Sequence, residues 1–450
     1  MSSIPPIPAE RLDAIVKAYD VRGTVPDQLD ADICHSFGAA FARFVGTEAV
    51  IVGRDMRPDG VDFSEAFARG VMSQGVDVVD IGLASTDMLY FASGHLDLPG
   101  AMFTASHNPA GYNGIKLCGR AAKPIGTETG LLDIKAMVVE GHQKVGAGNH
   151  SKVELLPDFV AHIHSFIDTA KLRPLKIVAD TANGMGGYVA PAAFEDLPVD
   201  IEILYPELDG TFPNHPADPI QPENLRDLQR RVLETGADIG LAFDGDADRV
   251  FLVDEKAQPI SGSLTTALVA KAMLARTGPG PIIHNLICSR STAEVIRENG
   301  GEPVRTKVGH SFIKAVMAET GAAFGGEHSG HYYFRDNWKA DSGLIAAMIV
   351  LEQLSDFGGP LSELIAPLDR YVASGEINTR VDDAAAVIDR VAEAYANHPQ
   401  DRLDGLTVDM GEWWFNLRPS NTEPLLRLNL EAPTAAEVDA HVDEVRSHFA

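Results

Sequence analysis

The chain has 450 residues, 45% of them hydrophobic, which excludes a disordered protein and indicates about three or four domains with separate cores. Its 64 carboxylates outnumber its 37 lysines and arginines, and the net charge of −27 disfavours binding to nucleic acid or to an anionic membrane. An anionic substrate must therefore meet a local cluster of cations.

The start of the chain lacks the basic and apolar regions of a signal peptide, and no apolar run is long enough to span a membrane. The cysteines Cys34, Cys118 and Cys288 are odd in number and far apart, which excludes a disulfide framework. These features predict a cytoplasmic protein with neither a membrane nor a nucleic acid as partner.

A pattern of alternating strands and helices occurs three times between residues 50 and 334 and predicts three α/β domains. The first copy has predicted strands at 50–52, 76–81 and 101–103, and a helix at 61–74. The second has strands at 176–180, 200–204 and 239–243, and a helix near 223–235. The third has strands at 281–283, 303–305 and 322–324, and helices near 291–299 and 311–320.

A polar loop follows the third predicted strand of each copy, before the chain returns as a fourth strand. The loops span residues 104–116, 244–249 and 325–331. Because open α/β sheets bind ligands at the carboxyl ends of their strands, we expect the ligand-binding site to include these loops.

The chain after about residue 370 has a different pattern. A strand at 375–381 and an Ala-rich amphipathic helix at 382–396 precede strands at 406–417 and 425–430 and a last helix at 434–449. This order predicts a small α+β domain with an antiparallel sheet.

Ser106 stands at the carboxyl end of a predicted buried strand, in a loop that cannot continue that strand. The Asn-Pro and Gly-Tyr-Asn-Gly segments that follow turn the chain, so Lys116 on the returning arm can lie near Ser106. An isolated Ser-His pair is more often part of a surface turn, and that alternative stays open for the loop by itself.

The loop at 244–249 carries Asp244, Asp246 and Asp248 at alternate positions, followed by Arg249. Three such carboxylates can face one hard cation such as Mg²⁺, and an arginine beside them fits a phosphate oxygen as a further ligand of that cation. The spacing imitates a Ca²⁺-binding EF-hand, but Arg249 occupies the position that requires glycine, and both flanks read as strands. A solvated acidic turn remains an alternative.

Four further segments gather polar or cationic side chains, although each one alone also fits a plain turn. Glu327 and Ser329 lie between glycines and suit hydrogen bonds to sugar hydroxyls. Lys307 and His310 lie just upstream, and Tyr19 and Arg22 lie near the start. The last cluster comprises Arg418, Ser420, Asn421 and Thr422, whose donors suit a phosphate dianion, and Arg427 could supply a further donor.

Taken together, the Ser106 loop, the Asp-Gly-Asp-Ala-Asp-Arg loop, the Gly-Glu-His-Ser-Gly-His loop and the Arg-Pro-Ser-Asn-Thr cluster occur in the order typical of the α-D-phosphohexomutases. The chain resembles the bacterial phosphomannomutase/phosphoglucomutase branch over essentially its full length. The resemblance implies three topologically similar mixed α/β domains and a C-terminal α+β domain around a central cleft. The expected domains are residues 1–150, 151–256, 257–370 and 371–450.

The resemblance also implies an enzyme that moves a phosphoryl group between the 6- and 1-positions of a hexose phosphate. Ser106 would carry the phosphoryl group, through a hexose 1,6-bisphosphate intermediate, with glucose 1,6-bisphosphate as activator. Asp244, Asp246 and Asp248 would hold Mg²⁺ together with an oxygen of the phosphorylated Ser106.

The remaining roles are expectations of the same kind. Arg22 and Arg249 would balance the charge in transfer, His107 would orient Ser106, and Lys116 would be the general base or acid. Nearby cations are expected to lower the pKa of Lys116. The substrate-binding residues would be Tyr19, Lys307, His310, Glu327, Ser329, Arg418, Ser420, Asn421, Thr422 and Arg427.

The resemblance implies mannose phosphates as the expected substrate, with glucose phosphates also possible. Phosphoglucosamine mutase is an alternative, although Ala247 and His328 argue against it. One departure is Leu286-Ile287-Cys288, where some relatives carry a lysine that could contact the substrate. A Mg²⁺-dependent sugar phosphatase and a non-enzymatic sugar-phosphate sensor remain alternatives. A monomer or weak dimer is expected.

Overall fold

The computed structural model describes residues 3–419 and 425–449, without the side chains of Ser3, His310 and Ser311. The chain divides into two compact units. One unit comprises Met1–Ser261 and Ser329–Leu364, and the other comprises Gly262–His328 and Ile365–Ala450. Among the described residues, no helix has both the length and the apolar character needed to cross a membrane.

The first domain is built on a six-stranded sheet. Its elements are β1 (Ser3–Ile4), α1 (Ala9–Asp13), β2 (Val21–Thr24), α2 (Ala31–Val45), β3 (Ala49–Arg54), α3 (Gly60–Ser73), β4 (Asp77–Leu83), α4 (Thr86–Leu96), β5 (Gly100–Phe103), β6 (Tyr112–Cys118), α5 (Leu131–Glu140), β7 (His142–Gln143) and β8 (His150–Lys152). The strand order is β2-β6-β5-β3-β4-β8. Strand β3 pairs in parallel with β4 and β5, whereas β6 runs antiparallel to β5 and β2.

Helices α2 and α3 bury their apolar faces together with this sheet. The Phe67 ring lies between Phe41 and Phe103, with centroid distances of 5.9 and 5.4 Å. This core fixes the end of β5, from which the serine loop leaves, against the end of β3.

The second domain repeats the pattern on a five-stranded sheet. Its elements are α6 (Leu156–His164), β9 (Lys176–Asp180), α7 (Gly186–Phe194), β10 (Asp200–Leu204), α8 (Arg226–Thr235), β11 (Ile239–Phe243), β12 (Val250–Asp254) and β13 (Pro259–Ile260). Strands β10, β9 and β11 are parallel, and β12 returns antiparallel to β11. Both strands that flank the acidic loop are completely buried, which fixes the two ends of that loop.

The third segment contributes to both units. Its elements are α9 (Gly262–Thr277), β14 (Pro281–Asn285), α10 (Arg290–Glu298), β15 (Glu302–Thr306), α11 (His310–Thr320), β16 (Phe324–Gly326), β17 (Tyr332–Phe334), α12 (Gly343–Phe357) and α13 (Leu361–Ile365). Strand β14 pairs in parallel with β15 and β16.

The last segment is an antiparallel sheet covered by two helices. Its elements are β18 (Val372–Arg380), α14 (Ala384–Ala394), β19 (Gln400–Asp401), β20 (Leu406–Asp409), β21 (Trp414–Pro419), β22 (Leu425–Ala432) and α15 (Ala435–Arg446). The strand order is β18-β22-β21-β20-β19. The prediction of three mixed α/β domains followed by an α+β domain is confirmed.

Two parts of the predicted secondary structure differ from the structure. The single strand expected at 406–417 is wrong, because a turn containing Gly411, with φ of 89°, separates β20 from β21 and leaves Trp413 outside both. The unpredicted helices are α1, α2, α4, α5, α6, α7, α9, α12 and α13. Helices α9 and α12 are buried around most of their surface, so they lack the polar face that gives a helical period.

Candidate functional site

Ser106 lies in the loop between β5 and β6, with its backbone in the left-handed region at φ of 49°. Its amide donates to Thr104 Oγ1 at 2.9 Å, and its buried hydroxyl donates to Asp244 Oδ2 at 3.0 Å. A non-glycine residue in this backbone region costs about 1–3 kcal/mol. Contacts around the loop must therefore hold Ser106 in this position.

Arg57, just after β3, provides those contacts. Its guanidinium is buried and donates to four backbone carbonyls of the serine loop at 2.7–3.0 Å, those of Ser106, Asn108, Pro109 and Tyr112. The Asp55 carboxylate lies 3.4 Å from its Nε. The sequence analysis missed Arg57, although its place after the strand beside β5 was an available signal.

The three aspartates of the acidic loop form one buried cluster. One oxygen from each of Asp244, Asp246 and Asp248 lies within 4.8 Å of the others. Within the described part of the chain, Asp246 Oδ1 and Asp248 Oδ1 are buried and have no hydrogen-bond partner. Unsatisfied buried carboxylate oxygens are costly, and a hard cation with oxygen ligands removes that cost. The residues present therefore fit Mg²⁺.

The acidic loop and the serine loop touch directly at Gly245. A Cβ atom there would lie 2.4 Å from the carbonyl oxygen of Ser106. Only glycine allows the two backbones to come this close. The contact sets how near the Ser106 hydroxyl can come to the aspartates.

Burial is the main influence on the pKa values of the acidic loop. It raises the pKa of Asp244 well above its ordinary value, against the opposing effect of Arg249. It also raises the pKa of Asp248, and the charge of Asp246 adds to this effect. For Asp246, burial is outweighed by the ammonium of Lys116, and the pKa is lowered. The cluster therefore favours binding of positive charge.

Lys116, on β6, supplies part of that charge. Its Nζ donates to Asp246 Oδ2 at 2.7 Å and to Asp248 Oδ2 at 2.9 Å. Burial alone would lower the pKa of Lys116, but these two carboxylates raise it well above its ordinary value. The expectation of a lowered pKa is therefore wrong for this arrangement, because the nearest charges are carboxylates and not cations.

Arg249 binds the acidic loop through two of its nitrogens and keeps a third nitrogen available as a donor. Its backbone amide and Nε donate to Asp244 Oδ1 and Oδ2 at 3.2 and 3.0 Å. Its Nη2 is buried and donates no hydrogen bond to any residue that the structure describes. The Asp218 carboxylate oxygen Oδ1 lies 3.9 Å from this nitrogen. Nη2 can therefore donate to an anion that approaches the acidic loop.

His107, within the serine loop, and Arg22, on β2, each contact a side chain of that loop. His107 Nδ1 is 3.2 Å from Ser106 Oγ, and burial, aided by Arg249 and Arg22, lowers the pKa of His107 well below its usual value. Arg22 Nη1 donates to Asn108 Oδ1 at 2.6 Å, and its Nη2 pairs with Asp20. His107 is thus a neutral imidazole that can orient the serine hydroxyl.

The start of α4 supports the acidic loop. Thr86 Oγ1 donates to Asp246 Oδ2 at 2.5 Å, and the Thr86 amide donates to the Asp246 carbonyl at 3.0 Å. The next residue, Asp87, accepts hydrogen bonds from Ser85 and Ser342, and burial raises its pKa to about 7. The sequence analysis missed both, because α4 itself was not predicted.

Ser329 lies in the same unit as the serine and acidic loops. Its Oγ is 3.1 Å from His331 Nδ1, and His331 Nε2 is 3.8 Å from Asp248 Oδ1. His331, Asp248 and Asp341 form a second group of possible metal ligands. His331 is thus a contact of the acidic loop that the sequence analysis did not identify.

Glu327, in the other unit, is buried and binds the segment upstream of it. Its Oε1 accepts from the Gly309 amide at 3.0 Å and from Asn285 Nδ2 at 3.2 Å. Lys307 is exposed, and its Nζ lies 5.5 Å from the centre of the Phe312 ring. The side chain of His310 is outside the described part of the structure. The structure thus brings the 307–309 segment to Glu327.

Arg418 and Arg427 face each other on β21 and β22. Between them lies Glu376, whose carboxylate accepts from Arg418 Nη2 at 2.6 Å and lies 3.5 Å from Arg427 Nη1. The predicted residues Ser420, Asn421 and Thr422 lie outside the described residues. Glu376 was not predicted.

Four family profiles match successive parts of the chain. All are described as phosphoglucomutase/phosphomannomutase, with alpha/beta/alpha domain I at residues 13–143, domain II at 157–258, domain III at 261–371 and the C-terminal domain at 376–448.

Similar proteins agree with these profiles. The chain is 40% identical to "phosphohexose mutases" of Xanthomonas campestris pv. campestris, over 95% of this chain and 97% of the relative. It is 40% identical to a phosphomannomutase of Salmonella montevideo, over 92% and 94% of the two chains. A crystal structure of a phosphoglucomutase/phosphomannomutase family protein from Burkholderia thailandensis has a TM-score of 0.89 and 34% identity, covering 97% of this chain and 96% of that one. The resemblance inferred from the four motifs is confirmed, and the chain belongs to the phosphoglucomutase/phosphomannomutase family.

Proposed function

We propose that the chain catalyses the reversible conversion of mannose 6-phosphate to mannose 1-phosphate, and that it accepts the corresponding glucose phosphates. The observation that carries this proposal is the hydrogen bond of 3.0 Å from Ser106 Oγ to Asp244, beside buried carboxylate oxygens that fit a cation. The names of the relatives supply the hexose phosphate as substrate class.

Ser106 is proposed as the phosphoryl carrier. In the first step the bond from phosphorus to Ser106 Oγ breaks, a bond to a hexose hydroxyl oxygen forms, and a hexose 1,6-bisphosphate results. The hexose hydroxyl loses a proton and Ser106 Oγ gains one. The second step reverses this chemistry with the other phosphoryl group, so that Ser106 is phosphorylated again.

The residues of the chain divide this work. Lys116, held protonated by Asp246 and Asp248, passes a proton to Ser106 Oγ and takes up the proton that the hexose hydroxyl loses, and it relays the proton the opposite way in the second step. Arg249 Nη2 and Arg22 donate to the transferring phosphoryl oxygens, where charge stabilisation dominates catalysis. His107 orients the hydroxyl, and Arg57 and Thr86 position the two loops.

Mg²⁺ is the proposed cofactor, held by Asp244, Asp246, Asp248 and a phosphoryl oxygen on Ser106. When bound, it neutralises charge on the phosphoryl group. Glucose 1,6-bisphosphate is the proposed activator, since it can return a phosphoryl group to an unmodified Ser106.

The substrate contacts are proposed residue by residue. Glu327 accepts hydrogen bonds from sugar hydroxyls, and the Ser329 hydroxyl donates to or accepts from them. The phosphate that is not transferred is bound by Arg418, Ser420, Asn421, Thr422 and Arg427, with Tyr19, Lys307 and His310 as further contacts. Because Glu376 pairs with Arg418 and Arg427, the phosphate must replace that carboxylate as the acceptor.

We also propose a cytoplasmic monomer or weak dimer, with support from three buried free cysteines.

A coupled assay tests the proposal. Mannose 1-phosphate and glucose 1-phosphate are supplied separately with Mg²⁺ and a trace of glucose 1,6-bisphosphate, and formation of the 6-phosphates is followed. Conversion of neither substrate would contradict the proposal. Release of inorganic phosphate without need for the bisphosphate would instead support a sugar phosphatase.

A further inference from the structure

A separate cavity lies within the unit that contains Gly262–His328 and Ile365–Ala450. Its volume is about 370 Å³, and its lining includes His284, Arg290, Arg297, Arg305, Asp409 and Trp414. Trp414 begins β21, and Arg418 lies four residues further along, about 13 Å at roughly 3.3 Å per strand residue. Among the described residues, the cavity lining contains none that is proposed to bind the substrate phosphate.

Three arginines give this cavity cationic character, but only one is uncommitted among the residues that the structure describes. Arg290 pairs with Asp409 at 2.8 Å, and Arg305 pairs with Asp401. Arg297, on the exposed face of α10, has no hydrogen-bond acceptor or ion-pair partner in the described chain. Its guanidinium can therefore bind an incoming anion without losing a protein contact.

The carboxylates of the lining do not compete for Arg297. Asp409 accepts from Arg290, and Glu294 accepts from Arg370 and from the Tyr371 hydroxyl at 3.0 and 2.8 Å. Because these acidic groups are already paired, the Arg297 guanidinium is available as a donor to a ligand.

His284 provides an acceptor in the same cavity. It is only 6% exposed, and its Nδ1 lies 3.0 Å from the carbonyl oxygen of Asn285, so Nδ1 carries the proton. Burial lowers the pKa of His284 to about 4, which leaves the ring neutral at physiological pH. Its Nε2 is then an acceptor, and in the described chain it has no donor. A ligand that carries a donor can therefore hydrogen-bond to this nitrogen inside the cavity.

We propose that this cavity binds a phosphate monoester that also carries hydroxyl groups. The phosphate pairs with Arg297 as a charge-assisted acceptor, and a ligand hydroxyl donates to His284 Nε2. Sugar phosphates and nucleoside monophosphates share this chemistry. The bound molecule would contact both α10 and strands β20 and β21, and so would join the third and fourth domains within this unit.

Calorimetric titration of the full chain tests the proposal, with AMP and with glucose 6-phosphate as separate probes. Mg²⁺ and the bisphosphate are omitted so that no turnover occurs. We expect at least one probe to bind at a site that Arg297→Gln weakens about 10-fold, the loss expected for a hydrogen bond to a charged group. Glucose 6-phosphate should retain its other binding event in that variant.

Arg446→Gln is the matched control, since Arg446 is an exposed arginine of the same unit outside the cavity lining. An equal loss in this control, or no Arg297-dependent binding of either probe at millimolar concentration, overturns the proposal. Binding of AMP alone identifies a nucleotide as the ligand, and binding of glucose 6-phosphate alone identifies a sugar phosphate. Without AMP, mutase activity of Arg297→Gln should remain unchanged, so the proposed function is tested independently.

Discussion

The surroundings of Ser106 and the arginine pair on β21 and β22 use arginine side chains in opposite ways. Arg57, beside Ser106, is 1% exposed and committed to protein acceptors, whereas Arg427 is 31% exposed and shares Glu376 with Arg418. The loop that carries the proposed phosphoryl carrier is thus fixed by a buried arginine, whereas the arginines proposed to bind phosphate are held by a carboxylate that a phosphate can replace. The fixed loop around Ser106 favours a fast phosphoryl transfer, because little rearrangement is needed. The replaceable carboxylate at the arginine pair favours binding and release of the substrate phosphate.

Ser106→Ala gives the largest expected effect on this comparison. Loss of the phosphoryl carrier should lower kcat by about 10⁴-fold or more, because a covalent step has no substitute nucleophile. Turnover is measured in the coupled assay, and phosphate on the protein by mass spectrometry. Ser64→Ala serves as control, and an active Ser106→Ala protein would contradict the role of Ser106.

Arg57→Met should give the largest loss of stability. It leaves four loop carbonyls without their shared donor and Asp55 without its ion-pair partner, and the free energy of unfolding should fall by about 3 kcal/mol. Chemical denaturation measures this fall, with Arg69→Met as a control at an exposed arginine. Equal stability of the two variants would show that Arg57 does not hold the serine loop.

Thr86→Val should weaken Mg²⁺ binding about 10-fold, since Asp246 loses a hydrogen bond from the Thr86 hydroxyl. Metal affinity is measured directly by titration, apart from any assay of activity. Thr86→Ser keeps the hydroxyl and should restore the affinity. Failure of that rescue would point to packing of the Thr86 methyl group and not to the hydrogen bond.

Glu376→Gln should lower the KM for hexose phosphate about 3-fold with kcat unchanged. The amide keeps the shape of the side chain but removes a negative charge that competes with phosphate for Arg418 and Arg427. Steady-state kinetics check this prediction, and Glu393→Gln is a control on the exposed face of α14. A raised KM would mean that Glu376 positions the arginines and does not compete with the substrate.

The smallest expected effect concerns His215, which contacts Asp180 at the end of β9. Its Nε2 lies 3.0 Å from Asp180 Oδ2, and Asp180 pairs in the sheet with Ala242, just before the acidic loop. Burial lowers the pKa of His215, but Asp180 outweighs burial and the pKa is raised.

Because the folded state holds this proton more tightly, the contribution to stability is complete below the unfolded pKa of about 6.5 and is lost as pH rises through the folded pKa. Unfolding free energies at about pH 6 and pH 8.5 should show a loss of about 1 kcal/mol or less, absent in His215→Gln. An identical pH dependence in both proteins would contradict this role.

The sequence predicted the parts of the site that are local in the chain. Ser106, the three aspartates and their flanking strands were predictable because apolar strands alternate with polar loops. Arg57 and Thr86 were not, since each reaches the site from the end of another strand or helix that only the sheet order places nearby.

The error over the pKa of Lys116 has the same origin. The sequence placed Lys116 near cations, but the antiparallel return of β6 directs it at Asp246 and Asp248. Likewise, Glu376 precedes Arg418 by 42 residues, and only the antiparallel sheet shows that β18 lies beside the strand that carries Arg427. A single sequence therefore does not show charge pairing between segments that are far apart in the chain.

The contact at Gly245 also limits how the protein can be recombined with its relatives. Because a side chain at this position would meet the Ser106 carbonyl, residues 104–116 and 244–249 constitute one interlocking piece, although they come from different domains. A chimaera that exchanges only the first or only the second domain brings together two backbones shaped in different proteins. Such hybrids should work only when both loops are inherited from the same parent.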